Sequence, residues 1–428
     1  MAPAAKKQLI MYTNYYYPEN ASLAMLCHDL CRGLTDEYDV TVICSIPCYT
    51  GSIDDSYLTQ KYYRETYDGV NVIRVRVPRF DKHNKISRVK NILAYFFRSI
   101  YATFKAPRAD VIVTESQPPV LGGLLGVAGK VINFFRGRRS KMAYVIQDYN
   151  PEQTMVVGYS KNKLILKLMM FFDKFSCRVA NKVIVVGSDM VPTMVKRFTK
   201  RNGKVSKGMP ETVFINNWMD EKDVYPLPST DERVLAFRRR YGMDGKRVIM
   251  YSGNIGLFYD LPELFKVIER FRDREDVIFP FVGEGTLKDE LAQYASEHDM
   301  RNVVFIPYQD KSELAFSLNA ADVLWIVNAQ GVKGVSCPSK LYGILAVAKP
   351  ALGVLEEGTE ARDIIEKTGC GHVVSPCDYE GVANLIERFL STDDTTLAEM
   401  GQRGREYMLG HLNKQISIEK YRKELRFE

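Results

Sequence analysis

Nowhere in the 428 residues does an uncharged apolar run reach the roughly 18 residues that a membrane-spanning helix needs. The nearest, PPVLGGLLGVAGKVINFF at 118–135, is interrupted by Lys130 and rich in glycine, so no spanning helix is expected. The opening MAPAAKKQLIMYTNYYYPE carries no charged-then-apolar leader with a small-residue cleavage site, which sets the expectation of a cytoplasmic protein. A chain of this length without a secretory leader needs no disulfide framework, so the eight cysteines are expected to be free. Cys27, His28 and Cys31 could share a helix face, but no second ligand pair at zinc spacing accompanies them. The cysteines therefore read as small buried side chains, and no metal site is expected.

What is present is a large apolar content and an uneven charge. Hydrophobic residues make up 46% of the chain, enough for two or three domains with their own cores. Residues 1–215 hold 32 Lys and Arg against 17 Asp and Glu, a balance of +15, whereas residues 216–428 hold 27 against 35, or −8. Such asymmetry points the first half toward a polyanion, either nucleic acid or an anionic membrane surface.

The first half alternates short apolar segments with longer helical ones. QLIMYT, YDVTVICS, ADVIVTES, KMAYVIQD and NKVIVVGS read as buried parallel strands, and stretches such as ASLAMLCHDLCRGL and VKNILAYFFRSIYATF lie between them as helices. The pattern pauses in a polar, proline-marked segment, YPLPST, and then restarts with RVIMYSG, DVIFPFVG, NVVFIPY, DVLWIV and PALGVLE. This predicts an α/β protein of two doubly wound Rossmann-like domains facing across a cleft: residues 1–218, a linker at 219–245, residues 246–410, and a C-terminal helix at 411–428 that could pack back on the first domain. Ligands of such sheets bind beyond the carboxyl ends of the strands.

Three turns in the second half suit a phosphate. In YSGNIGLFYDLPEL, Gly253, Asn254 and Gly256 lie between a strand and a helix, where backbone can approach an anion. FVGEGTLKDEL repeats the device with Gly283, Glu284 and Gly285. In VSCPSKLYGILAVAKP, Ser336 or Cys337 is placed to cap a helix with Pro338 in its first turn. Ser339 and Lys340 then sit at the helix start, where a cation is unfavourable unless an anion is bound. Each turn alone also fits an ordinary loop; three at one sheet edge favour a diphosphate. Glu356, Glu357 and Glu360 lie at another strand end, where a carboxylate can accept ribose hydroxyls or simply start a helix.

In the first half, Gln147, Asp148 and Glu152 follow a strand; Asp148 suits a sugar hydroxyl or an N-cap. Tyr16, Tyr17, Glu19 and Asn20 lie in TNYYYPENAS, an aromatic and polar turn suited to carbohydrate or to loop packing. The helix at 90–105 places Tyr95, Phe96, Phe97 and Arg98 in an aromatic, basic stretch that reads as an interfacial membrane helix, or else as one buried on one side.

In their order, YTNYYYPENAS, TESQPPVLGGLLG, VIQDYNPEQ, FINNWMD, YSGNIG, FVGEGTLKDEL and PSKLYGILAVAKP resemble retaining glycosyltransferases of family 4, in the bacterial branch that builds exopolysaccharide, colanic acid and O-antigen. The resemblance covers nearly the whole chain and implies the two-Rossmann GT-B fold. It also implies transfer from a UDP- or GDP-sugar to a polyprenyl-diphosphate-linked glycan at the inner face of the plasma membrane, without a cofactor. On this reading Asp148 and Lys340 are catalytic, the three turns with Glu360 bind the donor, and Tyr16, Tyr17, Glu19, Asn20 and Gln147 bind the acceptor. The family's Glu-x7-Glu pattern falls on Val335 and Gly343, so both carboxylates are absent and the ribose contact passes to Glu356 or Glu360. Leu257, Phe258 and Asp260 stand where many members carry an Arg and a Lys, leaving Lys340 as the diphosphate cation. No Asp-x-Asp sequence occurs, so a divalent metal is not implied. A UDP-sugar epimerase of the same fold, and a non-enzymatic basic protein that binds membrane or nucleic acid, are the alternatives. Phosphate-type turns in the acidic half argue against nucleic acid as a partner.

Overall fold

The computed structural model describes residues 6–19, 21–49, 51–81 and 84–427. The described residues of Met1–Asn216 and Ile418–Glu428 form one unit, and Asn217–Ser417 form a second.

Unit 1 is built on eight strands: β1 (Lys7–Tyr12), β2 (Tyr38–Ser45), β3 (Tyr62–Tyr67), β4 (Val70–Val75), β5 (Val111–Glu115), β6 (Lys141–Ile146), β7 (Lys182–Val185) and β8 (Glu211–Phe214). Their order across the sheet is β3-β4-β2-β1-β5-β6-β7-β8, with only β3 antiparallel. Leu9 of β1 pairs with Val40 of β2 on one side and Val111 of β5 on the other, so the chain changes direction across the sheet between β1 and β5. The helices Lys85–Lys105, Leu121–Phe135 and Lys163–Val179 lie side by side, the middle one packing against both neighbours. Glycine explains the middle helix. A side chain at Gly126 would meet Thr114 Cγ2 at 2.5 Å and one at Gly129 the Tyr12 hydroxyl at 2.5 Å, so this helix lies directly on the sheet.

The last helix, Lys414–Leu425, supplies its final residues to unit 1. Tyr421 and Leu425 are buried, Ile418 packs on Gly33, and the Arg422 guanidinium donates to the Gly33 carbonyl at 3.0 Å.

Unit 2 has six parallel strands: β9 (Arg247–Ser252), β10 (Val277–Val282), β11 (Val303–Ile306), β12 (Val323–Val327), β13 (Ala351–Val354) and β14 (Gly371–Val374), in the order β11-β10-β9-β12-β13-β14. Alternation decides its two cores. Val248 and Met250 pack with Leu324 and Ile326 on one face, while Ile249 and Tyr251 pack with Val323 and Trp325 on the other. Both faces being covered is why these strands read as continuous apolar runs.

The segment expected as a linker is instead part of unit 2. Its helix Glu232–Arg240 buries Val234 and Phe237, spaced i and i+3, in the sheet's core. Arg238 donates to the Ala320 carbonyl at 2.9 Å, and the Leu227 N–H to Asn319 Oδ1 at 2.9 Å. Prolines 226 and 228 set the entry, but the apolar pair anchors the segment.

Candidate active site

Each sheet reverses direction at one point, and the residues just past the strand ends at that point are the candidate site. In unit 2 the reversal falls between β9 and β12. The turns after β9 and β10 are bonded backbone to backbone: the Ile255 N–H donates to the Glu284 carbonyl at 2.9 Å and the Leu287 N–H to the Ile255 carbonyl at 3.1 Å. A side chain at Gly283, where φ is +141°, would lie 2.0 Å from the Gly253 carbonyl oxygen, and one at Gly285 would lie 2.1 Å from that of Ile255. Gly283 and Gly285 therefore let the two turns stack. The contact that requires glycine at both positions is with the neighbouring turn. Glu284 points outward and pairs with Lys288 at 2.6 Å.

Lys340 reaches this stacked pair from the first position of the helix that follows β12. Its ammonium lies 3.8 Å from the Tyr259 ring centroid and 4.9 Å from that of Tyr251. A side chain at Gly253 would sit 2.6 Å from Lys340 Cε, so glycine leaves the lysine its channel. Among the described residues no carboxylate pairs with Lys340, and its half-buried side chain ends over two ring faces. The helix itself begins at Lys340, later than its capping pattern suggested. Ser339 occupies the cap position without a side-chain cap bond, and the helix runs only to Ala346. Asn254 is exposed; its carbonyl accepts from the Tyr251 hydroxyl at 2.6 Å, and a side chain at Gly256 would meet its amide.

Of the two carboxylates considered for a ribose, Glu356 is committed: its Oε2 accepts the N–H groups of Gly331 and Lys333 at 3.0 and 2.8 Å, tying that loop. Glu360 is buried at the first position of the helix Glu360–Thr368, where the helix dipole favours a negative charge. Val335 is buried, and a side chain at Gly343 would touch Leu318 and Met219, both apolar.

In unit 1 the reversal between β1 and β5 centres on a residue that sequence reasoning passed over. Glu115 closes β5 and is 2% exposed. Its Oε1 accepts from the Cys27 thiol at 3.9 Å and its Oε2 from the Gln147 amide at 3.2 Å. Burial pushes its pKa up to about 8, against the smaller lowering by those two donors, so it holds a proton at neutral pH. The only signal in the sequence is an acid ending an otherwise apolar strand, VIVTE. Asp148 is half-buried beside Gln147, and the next helix begins at Glu152 with Pro151 as its cap, so Asp148 is not a capping residue. Arg197 braces this loop. It donates to the Asn150 carbonyl at 2.8 Å and to Glu152 Oε1 at 2.7 Å, pairs with Asp173, and lies 4.2 Å over the Tyr149 ring.

The aromatic turn after β1 separates its candidates. Tyr16 is fully buried and its hydroxyl bonds His28 Nδ1 at 3.1 Å, while His28 Nε2 bonds Asp68 at 3.0 Å; Tyr16 is a packing residue, not an acceptor contact. Tyr17 stacks on His28 at 4.5 Å and is half-buried. Glu19 is buried and its Oε1 accepts the N–H groups of Cys48, at 2.6 Å, and Tyr49. Burial raises its pKa, opposed by those bonds. Asn20 lies outside the described residues.

The membrane residues also need correction. Tyr95 is completely buried and Phe96 half-buried, while Arg98 donates to the Arg76 carbonyl; of the four, Phe97 alone is exposed. Four consecutive residues are spread over about 300° around a helix and cannot share one face.

The two doubly wound sheets have the GT-B fold. Over residues 236–407 the chain matches the family described as Glycosyl transferases group 1. It is 28% identical over 348 residues to a Pseudomonas aeruginosa protein named "Probable glycosyltransferase WbjE", covering 81% of this chain and 82% of that one. Against WcaI of Escherichia coli K12, named for colanic acid biosynthesis as a glycosyl transferase, identity is 24% over 98% of this chain and all of the other. Among solved structures, Anabaena HepE in complex with UDP and glucose superposes with a TM-score of 0.69 at 13% identity, over 98% of this chain and 99% of that one.

Proposed function

We propose that the protein transfers a sugar, with retention at the anomeric carbon, from a nucleotide diphosphate sugar to a lipid-linked glycan in the assembly of a bacterial surface polysaccharide. The observation that carries the donor half is the Lys340 ammonium, held on the Tyr259 ring and beside Gly253 without a carboxylate partner among the described residues. Breaking the sugar–phosphate bond leaves negative charge on the departing diphosphate, and a fixed cation at a strand-end turn stabilises that charge as it grows. HepE, of the same fold, binds UDP. Glu360 is the stand-in for the ribose carboxylate, Asp148 the group that contacts a sugar hydroxyl, and Gln147, Tyr17 and Glu19 border the acceptor. The polysaccharide context comes from the name of WcaI.

The test is a thermal-shift screen of UDP-, GDP-, ADP- and dTDP-sugars, followed by calorimetry on Lys340→Ala. A ligand that binds the folded state raises the melting temperature. Losing one charge-assisted contact should weaken diphosphate binding about 10- to 100-fold while leaving the melting temperature of the free protein unchanged. Equal affinity in the variant removes Lys340 from the site. The product's anomeric configuration by NMR decides retention against inversion.

A further inference from the structure

Three neighbouring helices of unit 1 each carry a Phe-Phe doublet that the transfer chemistry does not use: Phe96–Phe97, Phe134–Phe135 and Phe171–Phe172, with ring centroids 5.3, 5.7 and 5.3 Å apart within each pair. The residue after each doublet turns toward the protein. Arg98 donates to the Arg76 carbonyl, Arg136 to the Thr103 carbonyl at 3.0 Å, and Asp173 pairs with Arg197. The outward ring of each doublet is left in solvent: Phe97 is 63% exposed, Phe135 82% and Phe171 60%.

These rings belong to longer stripes. On the Lys85–Lys105 helix, Ile86, Val89, Leu93, Phe97, Tyr101 and Phe104 are all exposed, at steps of three and four residues. On Lys163–Val179 the exposed set is Leu164, Ile165, Leu168, Phe171, Phe172 and Phe175. Leu121–Phe135 lies between those two helices and adds Val131, Phe134 and Phe135. Contiguous apolar surface on this scale marks a docking site rather than scattered exposure.

Charge identifies what docks. The three helices contain one carboxylate, Asp173, and it is buried and paired with Arg197. Exposed cations flank the apolar stripes at the helix ends, among them Lys85, Arg88, Lys90, Lys105, Lys163 and Lys167. Rings in the middle and cations around them match a lipid surface: aromatic side chains enter the headgroup boundary while ammonium and guanidinium groups meet lipid phosphates. A second copy of the chain would bring the same cations against themselves, without acids to pair them.

We propose that the outward faces of these three helices form one continuous docking face for an anionic membrane, with Phe97, Phe135 and Phe171 as one anchor from each helix. The proposal rests on the lipid-linked acceptor for its purpose but not for its physics. It enlarges a single interfacial helix to a platform and moves the anchors to residues that packing leaves outside.

The experiment sediments the full chain with vesicles of phosphatidylethanolamine and roughly 30% phosphatidylglycerol, and separately with phosphatidylcholine alone. The protein should pellet with the anionic vesicles, weakly with the neutral ones, and less as salt is raised. Phe97→Ser, Phe135→Ser and Phe171→Ser combined should lower the bound-to-free ratio about tenfold or more. Should that variant fail to fold, Phe135→Asp alone, at the most exposed ring, should give a partial loss of about threefold or more. Lys163→Glu with Lys167→Glu should flatten the salt dependence. Undiminished pelleting of the ring variants, no pelleting of the wild type, or a dimer in sedimentation velocity that the ring variants dissociate would each overturn the proposal. Nucleotide calorimetry on the same proteins reads the donor site alone. Failure on vesicles with intact nucleotide binding removes the membrane face only, whereas failure of both removes the transferase reading as well.

Discussion

Lys340 and Glu115 show how differently a single charged side chain can be kept. Lys340 lies with its side-chain nitrogen over two tyrosine rings and beside no carboxylate among the described residues. Glu115, walled in between Cys27 and Gln147, stays neutral because burial outweighs the two donors that favour its anion. That neutrality has a measurable consequence. An unfolded glutamate loses its proton near pH ~4.3, whereas the folded one holds it up to about 8. Between those values the unfolded state binds fewer protons than the folded state, so stability falls as pH rises and levels off above the folded value. Glu115→Gln should remove this slope. In calorimetry the wild-type melting temperature should decline relative to the variant from pH 5 to pH 8, by a few degrees, and the two should run parallel above pH 8. Parallel curves over the whole range would mean that the carboxyl is already ionised. At this scale the sequence marked Lys340 clearly, because a lysine at a helix start conflicts with the local dipole. It was silent on Glu115, whose partners come from positions 88 residues before it and 32 after it.

At the scale of elements, the candidate site of unit 2 depends on two turns that share backbone bonds. Gly283 is the tightest point, since any side chain there strikes a carbonyl oxygen rather than a movable side chain. Gly283→Ala should cost roughly 2 kcal/mol or more in urea unfolding, from the strained φ and the displaced turn together. It should also weaken nucleotide binding by shifting Gly253. A loss below about 0.5 kcal/mol would show that the turns part easily. The strands and helices themselves were legible because their patterns are local: two-residue alternation for Val248 to Tyr251, three-and-four steps for Ile86 to Phe104. Which ring on the Lys85–Lys105 helix faces outward was not. A basic aromatic stretch can be identified from its letters, but Tyr95 is buried and Phe97 exposed only because of what lies beneath them.

At the scale of the whole molecule, unit 1 is closed by residues from the far end of the chain. Tyr38 donates to the Leu425 carbonyl at 3.2 Å, Lys182 pairs with Glu424 at 2.6 Å, and Tyr421 is buried. Ending the chain after Ser417 should therefore lower the melting temperature of unit 1 by several degrees, as charge pairs and apolar surface are lost together. The group 1 domain should keep its transition; differential scanning calorimetry separates the two, and an unchanged thermogram would show the last helix to be dispensable. Six exposed cations of the first half, Lys85, Arg88, Lys90, Lys105, Lys163 and Lys167, lie on the helices whose apolar face is proposed above to meet a membrane.

From its own letters the chain determined the α/β class, the two-unit division, the glycine turns and a lysine at a helix start, since each follows from propensities and spacings within a few residues. Tertiary structure alone decided that Lys340 meets Gly253 and Tyr259, that Glu115 keeps a proton, that Tyr16 is packing, and that three phenylalanine doublets lie on adjacent helices. The reason is distance along the chain. Strand order and helix contact bring together groups tens of residues apart, and no local periodicity records which strand will lie beside which.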